Sequence, residues 1–373
     1  IALRWHLVID SVLFPESNQV TDSPQAKPPV AALRRKVTLA ALAGFLALLT
    51  CELLLQLIEQ PTASIRFQQD VGVLDQHGMT QLAALVENDT ELFWRLSPGT
   101  TLPLADSPFY GTIANQQGLR EDHEIPAEKP ANRLRILFLG DSCTFGFGLK
   151  HNESYVDIAE QHLNQSLAGK SVECINAGVP GYTLFQGWRF WQTAGHVLKP
   201  DFVVVCFGAN DMDSWDDKTD REHHAHLQQL QPPGILRNSA ISRRLWATYH
   251  RFGPEQVVPK PRVTVEDFQY LLGKLHASIT AKQAKMVVMP WPLLFQIAES
   301  RDFRTPWQQE MVSFAQQNQV LLLDLVPEFH RLADQHGAQA LYFDKGHASA
   351  LGNQEIGKLV ADLLEKNIQD PVR

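Results

Sequence analysis

Apolar residues are distributed along the chain in three distinct ways. One unbroken block, "VTLAALAGFLALLTCELLLQLI" from Val37 to Ile58, is interrupted only by Thr38, Thr50, Glu52 and Gln56, and as a helix it is long enough to cross ~30 Å of hydrocarbon. Residues 59–130 are mixed: "DQHGMTQLAALVEN" predicts a helix, while "LSPGTTLPLADSPFYGT" is rich in turn formers. From Arg133 onward short apolar runs alternate with helix-length segments. The runs are Ile136 to Leu139, Val172 to Ile175, Phe202 to Phe207, Met286 to Met289 and Val320 to Leu323. They lack polar alternation, as strands covered on both faces should. Helices are expected near residues 153–167, 185–197, 265–283, 305–318 and 352–367, the third opened by Thr264 with Asp267. Strand and helix in repeated alternation predict a parallel sheet between two helical layers.

This reading divides the chain into a tail (1–36), a transmembrane helix (37–58), a stem packing on the edge of the main domain (59–130) and an α/β domain (131–373). The last contains a long excursion, 213–262, of the kind that shapes or covers a site. Arg34, Arg35 and Lys36 precede the apolar block and Glu59, Asp70 and Asp75 follow it, so the positive-inside bias places the N-terminus in the cytoplasm and the main domain outside. The competing readings are a buried or surface-lying helix, for which Glu52 speaks, and a cleaved signal peptide, for which no small-residue cleavage site follows.

Open parallel sheets bind ligands beyond the carboxyl ends of their strands, so the residues after each run carry the candidate chemistry. The first run is followed by Gly140, Asp141 and Ser142, the second by "NAGVPGY", the third by "GANDMD", and a later segment reads "YFDKGHASALGN". A serine hydroxyl needs a base, and a histidine oriented by a carboxylate is the usual one. Ser142, His347 and Asp344 supply such a set. Charge developing on an acyl oxygen needs fixed donors, and the backbone N–H groups of Ser142 and Gly181 with the side-chain amide of Asn210 are available. Each fragment alone reads more readily as a helix cap or turn; four distant segments in this order point to an ester hydrolase.

Other features narrow the field. A net charge of −8 with scattered Lys and Arg gives no nucleic-acid footprint. Cys51, Cys143, Cys174 and Cys206 are widely spaced, which argues against a disulfide framework or a cysteine-rich zinc site and makes Cys143 a packed thiol. "REHHAH", Arg221 to His226, is expected as a solvated loop without a metal. "GDSCTFGFG" lacks the spacing of a phosphate loop, and Asp141 is expected to brace its loop.

These blocks resemble the SGNH (GDSL-type) hydrolases, and "LGDSCTFGFGL" with "NAGVPGY" is similar to bacterial envelope members of that family. The resemblance spans about Arg133 to Asn367 and implies a three-layer, flavodoxin-like α/β/α fold with a five-stranded parallel sheet. It implies the nucleophile at Ser142 in GDS, oxyanion donors at Ser142, Gly181 and Asn210, and the base pair Asp344 and His347 in "DKGH". No metal or organic cofactor is needed. The expected activity is hydrolysis of an acyl or acetyl ester on an envelope glycan or lipid, on the periplasmic or extracellular side. An O-acyltransferase with the same residues and a non-catalytic envelope scaffold are the alternatives.

Overall fold

The computed structural model describes residues 30–58, 85–101, 113–150, 152–215, 217–229, 239–249, 258–299 and 303–369. The chain forms two compact units, Ile1–Glu59 and Gln60–Arg373.

In the first unit, helix α1 spans Val30–Ile58, beginning before the expected Val37 because Ala31, Ala32, Leu33 and the basic triplet are good helix formers. Its stretch Arg34–Leu57 has a mean hydropathy of 2.1 and no burial, so by length and composition it could cross a membrane or act as a signal sequence. Four of its polar side chains are hydrogen-bonded within the helix. Thr38 and Thr50 donate to carbonyls one turn back, and Gln56 Nε2 donates to Glu52 Oε1 at 2.7 Å, which lowers the cost of carrying them in hydrocarbon.

Among the described residues of the second unit, the first strands form an antiparallel hairpin, β1 (Val86–Asp89) and β2 (Phe93–Leu96). Here the expected helix over 75–88 is corrected at its end: Val86, Glu87 and Asn88 are strand, because pairing with β2 lets Phe93, Trp94 and Leu96 join the main core. The rest of that expectation, and residues 102–112 of the turn-rich stretch, lie outside the described residues.

Five parallel strands follow: β3 (Arg133–Gly140), β4 (Ser171–Gly178), β5 (Phe202–Cys206), β6 (Lys285–Val288) and β7 (Leu321–Leu322). Their order in the sheet is β4-β3-β5-β6-β7, the doubly wound flavodoxin arrangement, whose direction reverses at β3. Alternate residues feed two separate cores, Leu137, Leu139, Val203 and Val205 on one face and Ile136, Phe138, Phe202 and Val204 on the other. That explains the absence of polar alternation in the sequence, and each such side chain contributes about 1.5–3 kcal/mol of burial.

The first face is covered by α4 (Leu184–Thr193), α7 (Val265–Ala281) and α9 (Pro306–Asn318). The second is covered by α3 (Tyr155–Ser166), the short α8 (Leu294–Ala298), α10 (Leu325–His336) and α11 (Ala350–Gln369). Start signals legible in sequence are in place: Thr264 accepts from Asp267 N at the head of α7, and Thr305 with Gln308 forms a capping box before Pro306. α4 ends earlier than expected, giving way to a 3-10 turn over Gly195–Leu198. The strand pairing of β3 and β4 runs past the apolar runs on both sides, from Arg133↔Ser171 to Gly140↔Gly178, because backbone hydrogen bonding does not require apolar side chains.

That last pair is where the short helix α2 (Ser142–Phe145) crosses the sheet end. A Cβ on Gly178 would run into the backbone at Thr144 and Phe145. Gly178→Ala is therefore expected to destabilise the protein by about 1–3 kcal/mol, read as a lowered thermal midpoint, whereas an alanine at the open Gly273 should not.

Candidate active site

The site forms beyond the carboxyl end of β3, where the strand order reverses. Asp141 caps α2 by accepting from Cys143 N at 2.9 Å, which sets Ser142, a half-buried residue, at the first helical position on the rim. The histidine comes from the loop between Tyr342 and Ala348, which pair as an isolated bridge, with Phe343 N donating to His347 O at 2.8 Å. Inside this loop Asp344 Oδ1 accepts from both Gly346 N and His347 N at 2.8 Å, an Asx turn that orders the loop locally.

The side chains then line up. Ser142 Oγ lies 2.7 Å from His347 Nε2, and His347 Nδ1 lies 2.7 Å from Asp344 Oδ2. Burial raises the pKa of Asp344, but the hydrogen bond and charge of His347 with the two backbone donors outweigh it and hold the carboxyl at about 2. Phe147 stacks on the imidazole at 4.4 Å between ring centres. Residues 205 positions apart in sequence thus share one hydrogen bond.

Two further loops complete the rim. After β4 the chain turns through Val179–Tyr182 with Gly181 at φ +79°, a left-handed conformation suited to glycine. Among the described residues, neither the backbone N–H of Ser142 nor that of Gly181 donates to another group. After β5, Asn210 Nδ2 donates at 3.0 Å to both Asp141 Oδ2 and the Tyr182 carbonyl. Its amide cross-links three loops. The neighbouring Asp211 is fully buried and accepts from Gly208 N and Leu184 N at 2.9 Å each. Burial pushes its carboxyl up to about 8 against the pull of those donors and of Arg262. A shallow cleft lined by Asp141, Gly208, Ala209, Met212, Trp291 and Leu293 adjoins the site.

Ser142, His347, Asp344, Gly181 and Asn210 are therefore all placed at one end of the sheet. Burial pushes the thiol of Cys143 well up, and its Sγ faces Gly346 O at 3.7 Å, so it stays protonated and packed. Burial also pushes Asp141 up, with the Cys143 N–H and the His347 charge opposing. The histidine-rich segment requires a correction. It is not a solvated loop but part of α5 (Asp220–Gln229), with His223 buried and His224 Nε2 3.1 Å from Glu91 Oε2 between Phe93 and Phe185. The apolar hairpin and α4 offer that helix a surface to dock on, which no local pattern announces. Among the described residues no three His, Cys, Asp or Glu side chains are grouped to hold a metal.

Sequence reasoning missed Trp94, Arg262 and Arg120. Trp94 Nε1 donates to the Pro180 carbonyl at 3.0 Å, and Arg262 Nη1 to the Gly181 carbonyl at 2.7 Å. Buried Arg120 donates to the carbonyls of Phe145, Leu149 and Lys150 behind the serine. All three lie outside the motif blocks, and nothing in their spacing marks them.

Residues 138–355 match the model of the GDSL-like lipase/acylhydrolase family. No curated protein matches the chain. Similar solved structures include the acetylxylan esterase Axe2 of Geobacillus stearothermophilus, 17% identical over 63% of this chain and 94% of that one with a TM-score of 0.43. Another is a lipase/acylhydrolase of Enterococcus faecalis, 19% identical over 63% of this chain and 96% of that one with a TM-score of 0.41. With its family match covering more than half of the 373 residues, the chain belongs to the GDSL-like lipase/acylhydrolase family and is an acyl-ester hydrolase of the SGNH type.

Proposed function

We propose that Ser142 is the nucleophile of this hydrolase, His347 its general base and then acid, and Asp344 the group that orients the imidazole. The observation that carries this reading is the continuous hydrogen-bond series from Ser142 Oγ through both nitrogens of His347 to Asp344. With Nδ1–H donating to Asp344, Nε2 is the acceptor facing the serine, the tautomer a base requires. Ser142 Oγ attacks the ester carbonyl as its proton passes to Nε2. The same proton leaves with the alcohol, and water attacks the acyl-enzyme by the reverse path.

The oxyanion forms opposite the N–H groups of Ser142 and Gly181, while Asn210 exchanges one of its two present bonds for the new charge. Because that amide also ties Asp141 to Tyr182, Asn210→Ala is expected to lower kcat by roughly 100- to 1000-fold, with a smaller change in KM.

The substrate we propose is an acyl or acetyl ester on an envelope glycan or lipid, with the shallow cleft beside Asp141 favouring a short acyl group. Residues 37–58 act as a single-pass anchor and the basic triplet Arg34–Lys36 keeps the N-terminus in the cytoplasm, so residues 131–373 work on the far side of the membrane. The test is mass spectrometry of the full-length protein in detergent after treatment with a fluorophosphonate. A single phosphonyl group on Ser142, together with turnover of p-nitrophenyl acetate, is the expected result; modification elsewhere, or none with no turnover, overturns the reading.

A further inference from the structure

The oxyanion turn Val179–Tyr182 is held by residues from two segments that the motif blocks do not include. Trp94 belongs to the β1–β2 hairpin, ahead of the family match at residue 138. Its indole N–H donates to the Pro180 carbonyl at 3.0 Å, and that carbonyl shares a peptide unit with the Gly181 N–H. The Trp94 carbonyl in turn accepts from Tyr182 Oη at 2.6 Å. Arg262 closes the long excursion, its N–H returning to Asp213 O at 2.7 Å. Its guanidinium is 1% exposed, donates to Gly181 O at 2.7 Å and to Gln186 Oε1 at 2.9 Å, and pairs with both oxygens of Asp220. It lies 3.7 Å over the Trp215 ring and 5.6 Å from that of Trp94.

We infer that Trp94 and Arg262 are positioning residues that clamp the two peptide units around Gly181 and keep its N–H directed at the reacting carbonyl. Hydrogen bonding to one end of a peptide unit polarises the other, so the Trp94 bond strengthens the donor as well as aiming it. The Arg262 bond stops the glycine, the most freely rotating residue of the turn, from turning its carbonyl toward the site. A charged donor stacked on an aromatic face and paired with a buried carboxylate is a rigid support. On this view Arg262, at the end of the excursion, and Trp94, in the hairpin, are parts of the oxyanion device, and the motif blocks alone do not complete it. The inference rests on the proposed oxyanion role of Gly181.

Trp94→Phe removes the indole N–H and retains an aromatic ring, and Arg262→Lys retains charge but not the fork. Full-length wild type and both variants are assayed with p-nitrophenyl acetate and inhibited with phenylboronic acid, whose tetrahedral adduct places an oxygen where the oxyanion would lie. Rates are normalised to the fraction labelled by fluorophosphonate. Each variant should lose about 5- to 20-fold in kcat, a fraction of what a whole oxyanion donor supplies, with KM within about 2-fold, and the boronate inhibition constant should rise by the same factor as kcat falls. A merely structural role would lower the labelled fraction or the thermal midpoint and leave the normalised kcat and inhibition constant unchanged, and that result overturns the clamp. Should Arg262→Lys fail to fold, Trp94→Phe decides. Wild-type protein without turnover or labelling removes the oxyanion reading and the clamp with it; an active wild type beside an unimpaired Trp94→Phe removes the clamp alone.

Discussion

Ser142→Ala is expected to lower kcat for p-nitrophenyl acetate by about 10⁴-fold or more and to abolish fluorophosphonate labelling, with an almost unchanged melting curve. The size follows from the proposed covalent route: without Oγ no acyl-enzyme forms, and the remaining oxyanion donors can only assist direct attack by water. Preservation of the fold follows from the hydroxyl's surroundings. Oγ bonds to His347 Nε2, on a half-buried rim residue where water can replace it, and α2 is capped by Asp141 rather than by Ser142. Circular dichroism, thermal melts and steady-state kinetics on the same preparation check both halves. A variant that stays active within 10-fold would remove Ser142 from the mechanism.

Asp344→Asn should cost roughly 10³- to 10⁴-fold in kcat, by a different cause. Asparagine can still accept from Gly346 N and His347 N through its oxygen, so the loop is preserved. Its amide would instead present a donor to Nδ1, forcing the tautomer in which Nε2 carries hydrogen and cannot take the proton of Ser142. The carboxylate also links activity and stability to pH. Its pKa is about 2 in the folded protein, below the unfolded value of ~3.9. Its stabilising contribution is therefore full above about pH 4 and is lost as pH falls through about 2. The wild type should melt above the variant at neutral pH, and the gap should close on acidification toward 2. A pH-independent gap in melting temperature would contradict the ionised, His347-bonded carboxylate.

The apolar runs from Ile136 onward announced the sheet because strands buried on both faces must carry side chains for two cores, and Val203 with Val204 serves one each. Likewise the order GDS, VPG, GAND was readable, since parallel topology sends every strand end to the same rim. Those features are local: they depend on which residues follow a strand, and a linear chain records that directly. What brings His347 Nε2 to 2.7 Å from Ser142 Oγ, turns Val86–Asn88 into strand and docks His224 on Glu91 is contact between segments far apart in the chain, chosen by which surfaces remain uncovered once the sheet has formed. The supports at Trp94 and Arg262 belong to this second kind, because an indole or a guanidinium has no spacing rule that ties it to a carbonyl 80 or more positions away.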